Sequence, residues 1–299
     1  MRHKTGLGLT SILMLTAGGY LLLKHRSHPM GAHPYLDHPG TQAMAHRGGQ
    51  GLWPPNTIFA FERALNMGCD ILELDIHATK DGHLVVRHDP TVDATSNGSG
   101  AIRDLSLAEI KALDAGYRWS YDGDGSFPYR GIGITIPTLQ EVLDAFPTTR
   151  LNIDIKPRAP SVVPNFCQLL VDYNLCENVL VGSFHDSQLH RFRALCPEVA
   201  TAAGPGEIKL FYALNRVFLG DIYQAKAHAF QIPEYSGNLR LISPHFIKSA
   251  HNHNIQVHIW TVNEVTDMQR LLSWGADGII TDFPDRLLKL LSSSSTRHT

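Results

Sequence analysis

The chain has 299 residues, 43% hydrophobic and 18% charged, with 26 Lys and Arg against 28 Asp and Glu. This composition supports a sizeable core and excludes intrinsic disorder and a small disulfide scaffold. The formal charge of -2 excludes a global positive field for nucleic acid or an anionic membrane. Phosphate chemistry therefore has to come from a local site, for which the 17 histidines offer acid/base groups and metal ligands. Cys69, Cys167, Cys176 and Cys196 form no C-x-x-C pair and read as small buried apolar residues.

In chain order, Thr5 to Leu23 carries no charge and would span ~28 Å as a helix, about one hydrocarbon core. Residues 1–26 therefore read as an uncleaved single-pass membrane anchor, with a cleaved signal peptide as the alternative. Arg2 and Lys4 on one side match Lys24 and Arg26 on the other, so the charges do not set which side of the membrane the rest occupies. In residues 27–40, His-Pro recurs at His28, His33 and His38, which predicts an extended, solvated tether or, less simply, a weak metal-binding tract.

Residues 41–292 alternate short β-branched or aliphatic runs with segments of helical period, and 293–299 form a polar tail. Eight runs read as strands, at residues 42–48, 71–78, 150–156, 178–184, 199–203, 227–232, 256–262 and 277–283. Helical patterns fall at 57–67, 161–173, 187–195, 244–252 and 264–274. The alternation predicts a (β/α)8 TIM barrel, with a doubly wound open sheet as runner-up.

A barrel places functional groups at the C-terminal ends of its strands. There the sequence has His46-Arg47, Glu73 and Asp75, Asp154 and Lys156, and Trp260 with Asn263. Glu73 and Asp75 share one face of their strand, while Leu72, Leu74 and Ile76 take the other. Three carboxylates without a thiolate suit a hard divalent cation, Mg²⁺ or Ca²⁺, unless they are salt-bridged. Asp81-Gly82 predicts a two-residue hairpin turn that pairs Thr79 with Leu84 and Asp75 with His88, bringing His88 beside the carboxylates. Two imidazoles, two cations and a metal around one cavity describe a phosphate ester site.

These residues lie within AHRGGQGLWPPNT, LELDIHATKDGHLVVRHDP, LNIDIKP, VGSF, HIWTVN and GADGIITDFP, in that order over residues 43–284. In them the chain resembles the glycerophosphodiester phosphodiesterase family. The resemblance implies hydrolysis of glycerophosphodiesters to sn-glycerol 3-phosphate and an alcohol on a (β/α)8 barrel carrying one divalent cation. It implies His46 and His88 as the acid/base pair, Glu73, Asp75 and Asp154 as metal ligands, Arg47 and Lys156 as phosphate contacts, and Trp260 as pocket lining. Thr91 to Arg103 would fall in an insertion rimming the site.

Two positions depart from the family pattern: Pro55 stands where P-E-N-T has Glu, and Asp154 stands where Glu is usual. They predict an active enzyme of altered metal affinity, the alternative being a membrane-tethered binding module without turnover. Retention of both histidines, Arg47 and Lys156 argues against that alternative. Among the other groups, His185 and His258 read as satisfied core or rim residues, His251 and His253 as solvated, and Asp282 as a loop tie.

Ile208 to Leu219 is too apolar for an ordinary surface helix. It reads as a barrel helix or as an apolar wall beside the cavity. The second reading admits a lysophospholipase D that releases lysophosphatidic acid. The sequence indicates no protein partner.

Overall fold

The computed structural model describes residues 19–123 and 125–295. Most of Thr5–Leu23 lies outside the described residues. Residues 19–26 are helical (α1), and among the described residues no helix is long and apolar enough to cross a membrane.

The strands are β1 (Gln42–Ala45), β2 (Ile71–Ala78), the antiparallel β3 (Leu84–Val86), β4 (Arg150–Ile155), β5 (Val179–Gly182), β6 (Ala200–Thr201) and β7 (Ala229–Pro233). They are followed by β8 (Tyr235–Ser236), β9 (Leu239–Arg240), β10 (Gln256–Trp260) and β11 (Gly278–Thr281). Eight of them run parallel in the order β6-β5-β4-β2-β1-β11-β10-β7, and a bridge between Ala202 and Ala229 brings the edges together. The result is the nearly closed (β/α)8 barrel that the alternation predicts.

The helices are α2 (Ile58–Met67), α3 (Leu107–Lys111), α4 (Leu139–Ala145), α5 (Val163–Asp172) and α6 (Asp186–Leu195), then α7 (Pro205–Arg216), α8 (Pro244–His251), α9 (Val265–Ser273) and α10 (Pro284–Ser295). In α2, the Thr57 hydroxyl accepts the Ala60 N–H at the start, and Gly68 ends the helix in the left-handed region at φ 104°. Leu72, Leu74 and Ile76 of β2 pack outward with Phe61 and Phe166, so Glu73 and Asp75 face the barrel interior.

The lower interior is lined by Met44, Ile71, Leu180, Ala200, Ala202, Ala229 and Ile280, whose alanines leave space at the axis. Tyr35 fills it and is fully buried. The segment expected to be a solvated tether is thus packed onto the barrel. Lys24 Nζ pairs with Asp221 at 2.7 Å, the Met30 N–H donates to His253 O, His33 Nε2 lies 3.0 Å from Glu198 O, and Gln256 donates to Leu36 O at 2.8 Å. These partners precede or begin strands, so the segment crosses the N-terminal face of the barrel. Burial of Tyr35 overrides the extended bias of the flanking prolines.

Three further expectations change. Cys167 and Cys196 form a disulfide joining α5 to the end of α6, while Cys69 is free and buried; a spacing of 29 residues has no local signature. His253 is buried rather than solvated, with Nε2 2.9 Å from Gly220 O. The hairpin register also slips by one: Ile76 pairs with Val86 and His77 with Val85, which puts Arg87 opposite Asp75. The loop has three residues because Gly82 takes φ 87° and the Asp81 carboxylate accepts from both Thr79 and the Leu107 N–H.

Candidate active site

β1 ends in a tight turn, His46–Gly48, in which Arg47 has φ 53°. A Cβ at Gly48 would lie 2.8 Å from Ala60 and Phe61, so glycine lets α2 pack against this turn. The turn aims the Arg47 N–H at Glu73 Oε2, 2.8 Å away, and places His46 Nε2 4.0 Å from the same oxygen. His46 Nδ1 lies 2.6 Å from Asp282 Oδ1. Asp282 is held below the ordinary carboxylate range, because the contacts with His46, Asn263 and Gln50 outweigh its burial. An ionised Asp282 fixes the Nδ1–H tautomer and leaves Nε2 facing the cavity.

His88 leaves the end of β3 with its carbonyl 3.0 Å from His77 Nε2 and its own Nδ1 2.8 Å from Asp89 Oδ1. The slipped hairpin register thus still delivers His88 to the site, because the chain bends at His88, just past the Arg87–Asp75 pair. Both imidazoles carry a carboxylate on Nδ1 and line one cavity.

The three carboxylates form the floor. Burial and the neighbouring Asp75 push Glu73 up to about 7, and burial raises Asp154. Asp75, 1% exposed, is held low against its burial by Lys156 and Arg47, and its Oδ2 accepts from Asn56 at 2.9 Å. Lys156 Nζ lies 2.8 Å from Asp75 and 2.6 Å from Asp154, so the ammonium expected on the phosphate stands between two expected metal ligands. Neighbouring buried carboxylates require a cation, and Lys156 supplies one. Among the described residues, no three His, Cys, Asp or Glu side chains are drawn together as a metal cage. The donor set is oxygen-only and buried, the chemistry a hard cation takes, while Lys156 bridges Asp75 and Asp154 as the salt-bridged alternative has it. Arg47 Nε is buried without a hydrogen-bond partner, 3.5 Å from Asp75 Oδ2.

The cavity, about 500 Å³, brings together all eight residues singled out from the sequence: His46, Arg47, Glu73, Asp75, His88, Asp154, Lys156 and Trp260. Trp260 stands edge-to-face with Phe184 at the rim, 5.7 Å between ring centroids. The sequence reading missed Asn56 as the partner of Asp75, Asp89 behind His88, and Asp282 as the partner of His46.

The Glycerophosphoryl diester phosphodiesterase family model matches residues 46–286, a span that holds every one of these groups. The chain belongs to the glycerophosphoryl diester phosphodiesterase family. A glycerophosphodiester phosphodiesterase of Caldanaerobacter subterraneus subsp. tengcongensis is 35% identical over 256 residues, covering 84% of this chain and 98% of that one. A lysophospholipase D of Rattus norvegicus is 28% identical over 315 residues, covering 95% and 97%. An Oleispira antarctica phosphodiesterase, solved with the product sn-glycerol-3-phosphate, shares the fold with a TM-score of 0.68 at 23% identity, over 87% of this chain and 100% of that one. The barrel is thus that of a phosphoric diester hydrolase.

Proposed function

We propose that the chain hydrolyses glycerophosphodiesters to sn-glycerol 3-phosphate and an alcohol by acid/base catalysis between His46 and His88. The observation that carries this reading is the pairing of two carboxylate-backed histidines in one cavity with Arg47, whose Nε is ion-paired with Asp75 but makes no hydrogen bond. Arg47 holds a non-bridging phosphate oxygen. One imidazole takes a proton from the nucleophile, and the other gives a proton to the leaving alkoxide. The nucleophile is water or the neighbouring glycerol hydroxyl, the second route passing through a cyclic phosphate. Trp260 lines the pocket beside the substrate. Glu73, Asp75 and Asp154 would hold one Mg²⁺ or Ca²⁺, which when bound adds positive charge beside the phosphate oxygens. Lys156 balances the carboxylates and lies within the same cavity to contact the phosphate.

The same reading keeps residues 1–26 as a single-pass membrane anchor. Because residues 24–36 cross the N-terminal face of the barrel, a tethered enzyme turns its active-site mouth, at the opposite face, away from the anchoring surface. The Cys167–Cys196 disulfide supports a barrel on the oxidising side of that membrane.

The test is the full chain with glycerophosphocholine, with and without EDTA and with Mg²⁺ or Ca²⁺ restored, scoring products by mass. Glycerol 3-phosphate and choline, lost with EDTA and restored by metal, are expected. No product under any of these conditions would overturn the reading.

A further inference from the structure

The apolar side chains between Ile208 and Leu219 divide three ways. Ile208 and Tyr212 line the active-site cavity, Phe211 packs in the core, and the last three residues face outward. Val217, Phe218 and Leu219 are 60%, 80% and 37% exposed, and Phe218 holds φ 58°, a conformation costly to a bulky side chain. The backbone beneath them is fixed. The Leu219 N–H donates to Leu214 O at 2.8 Å, and a Cβ on Gly220 would stand 2.6 Å from Ser249 Oγ of α8. A firmly seated turn thus holds the Phe218 ring out in solvent, at the energetic cost of its left-handed backbone.

The turn follows the C-terminal end of α7, at the N-terminal face of the barrel. It stands beside the end of the chain's long uncharged stretch, Thr5–Leu23, whose last residues Leu21, Leu22 and Leu23 are themselves exposed. The next residue, Lys24, pairs with Asp221 at 2.7 Å, and Asp221 comes three residues after Phe218. Three residues reach at most about 11 Å, so the turn lies close to where that stretch leaves off. Arg26, Arg216 and Lys248 are exposed around it, Lys248 sharing a small cleft with Phe218, while Lys24 neutralises Asp221.

Resting on the anchor reading of residues 1–26, we propose that Val217–Leu219 is a second membrane contact, which seats the N-terminal face of the barrel on the bilayer that holds the anchor. An apolar wedge flanked by Lys and Arg suits the headgroup layer: its side chains enter by about 5–10 Å, and its cations are drawn to anionic lipids. The bilayer is favoured over a second copy of the chain because the uncharged stretch ending beside the turn has the length of one hydrocarbon core. Two contacts fix the orientation of the barrel, where a single anchor would let it swing, and hold the active-site mouth toward the aqueous phase.

The test is the full chain reconstituted in vesicles of phosphatidylcholine and phosphatidylglycerol, carrying a nitroxide on Phe218→Cys. Ile132→Cys, in an exposed loop on the mouth side, is the aqueous control, and Cys176→Ser removes the accessible native thiol from both. Val217→Cys supplies a second position should Phe218→Cys fail to fold. Collisions with oxygen, which concentrates in the bilayer, and with a water-soluble nickel chelate read the depth of each label. Oxygen should dominate at 218 and nickel at 132. Nickel dominating at 218, in chains that stay on floated vesicles at high salt, overturns the contact and leaves the anchor standing. Release by high salt, with oxygen dominating at low salt, sustains the contact and overturns the anchor. Protection from both reagents means that protein covers the turn, a second copy where the labels broaden one another, and overturns the contact. A chain that never floats with vesicles overturns both.

Discussion

His46 Nδ1 and Asp282 Oδ1 lie 2.6 Å apart across the seam between β1 and β11. The register pairs Ala45 with Thr281, so the next residue on each strand meets its counterpart at the C-terminal rim. Asp282 is therefore a positioning residue that holds the His46 tautomer. Asp282→Asn should lower kcat about 10²-fold or more with little change in KM, the size of a lost acid/base contribution. Steady-state kinetics with glycerophosphocholine checks this, and an equal loss confined to KM would contradict it.

Tyr35 sits where the interior alanines leave room, yet its hydroxyl has no hydrogen-bond partner. Tyr35→Ala should cost about 3–5 kcal/mol, as other large aromatic deletions do. Tyr35→Phe should be neutral or stabilising, because it removes an unsatisfied buried polar group. Urea unfolding of the two variants separates packing from hydrogen bonding. The same comparison predicts that a chain starting at residue 41 is less stable than the full chain.

Burial lowers His258 from 6.5 to about 4, with its ring fully enclosed. The unfolded chain binds the proton first as pH falls, so stability is complete above the unfolded value and is lost between about 6.5 and about 4. His228 is depressed in the same direction, mainly by burial. Urea unfolding from pH 7 to 4 should show falling stability, and His258→Gln should reduce the slope by up to about 1.4 kcal/mol per pH unit. An unchanged slope would contradict a neutral buried imidazole.

At the two positions that depart from the family pattern, Pro55→Glu and Asp154→Glu should each lower the metal concentration giving half-maximal activity, by about tenfold. Metal titration of turnover reads this directly. An unchanged midpoint in both variants would remove the link between these positions and cation affinity.

Much of the site could be read from the sequence because strand periodicity is local. Glu73 with Asp75, and Asp154 with Lys156, each share a face two residues apart, and parallel strands bring their ends to one rim. Asp282 escaped because its partner is 236 residues away and the pairing depends on barrel closure. The hairpin register was misread because the Asp81 side chain caps Leu107 and Thr79, a contact no dipeptide rule contains. Tyr35 was hidden in a His-Pro repeat. Its signal was indirect, in small residues at inward positions such as Ala200, Ala202 and Ala229.

The central claim is that His46 and His88 divide the acid and base roles. It is tested by measuring His46→Ala and His88→Ala on glycerophosphocholine and on the p-nitrophenyl diester of glycerol 3-phosphate, whose leaving group needs no proton. The account predicts that both variants lose about 10²–10⁴-fold on glycerophosphocholine, and that one of them recovers on the nitrophenyl ester while the other does not. Losses of the same size for both variants on both substrates, or no loss in either variant, would contradict it.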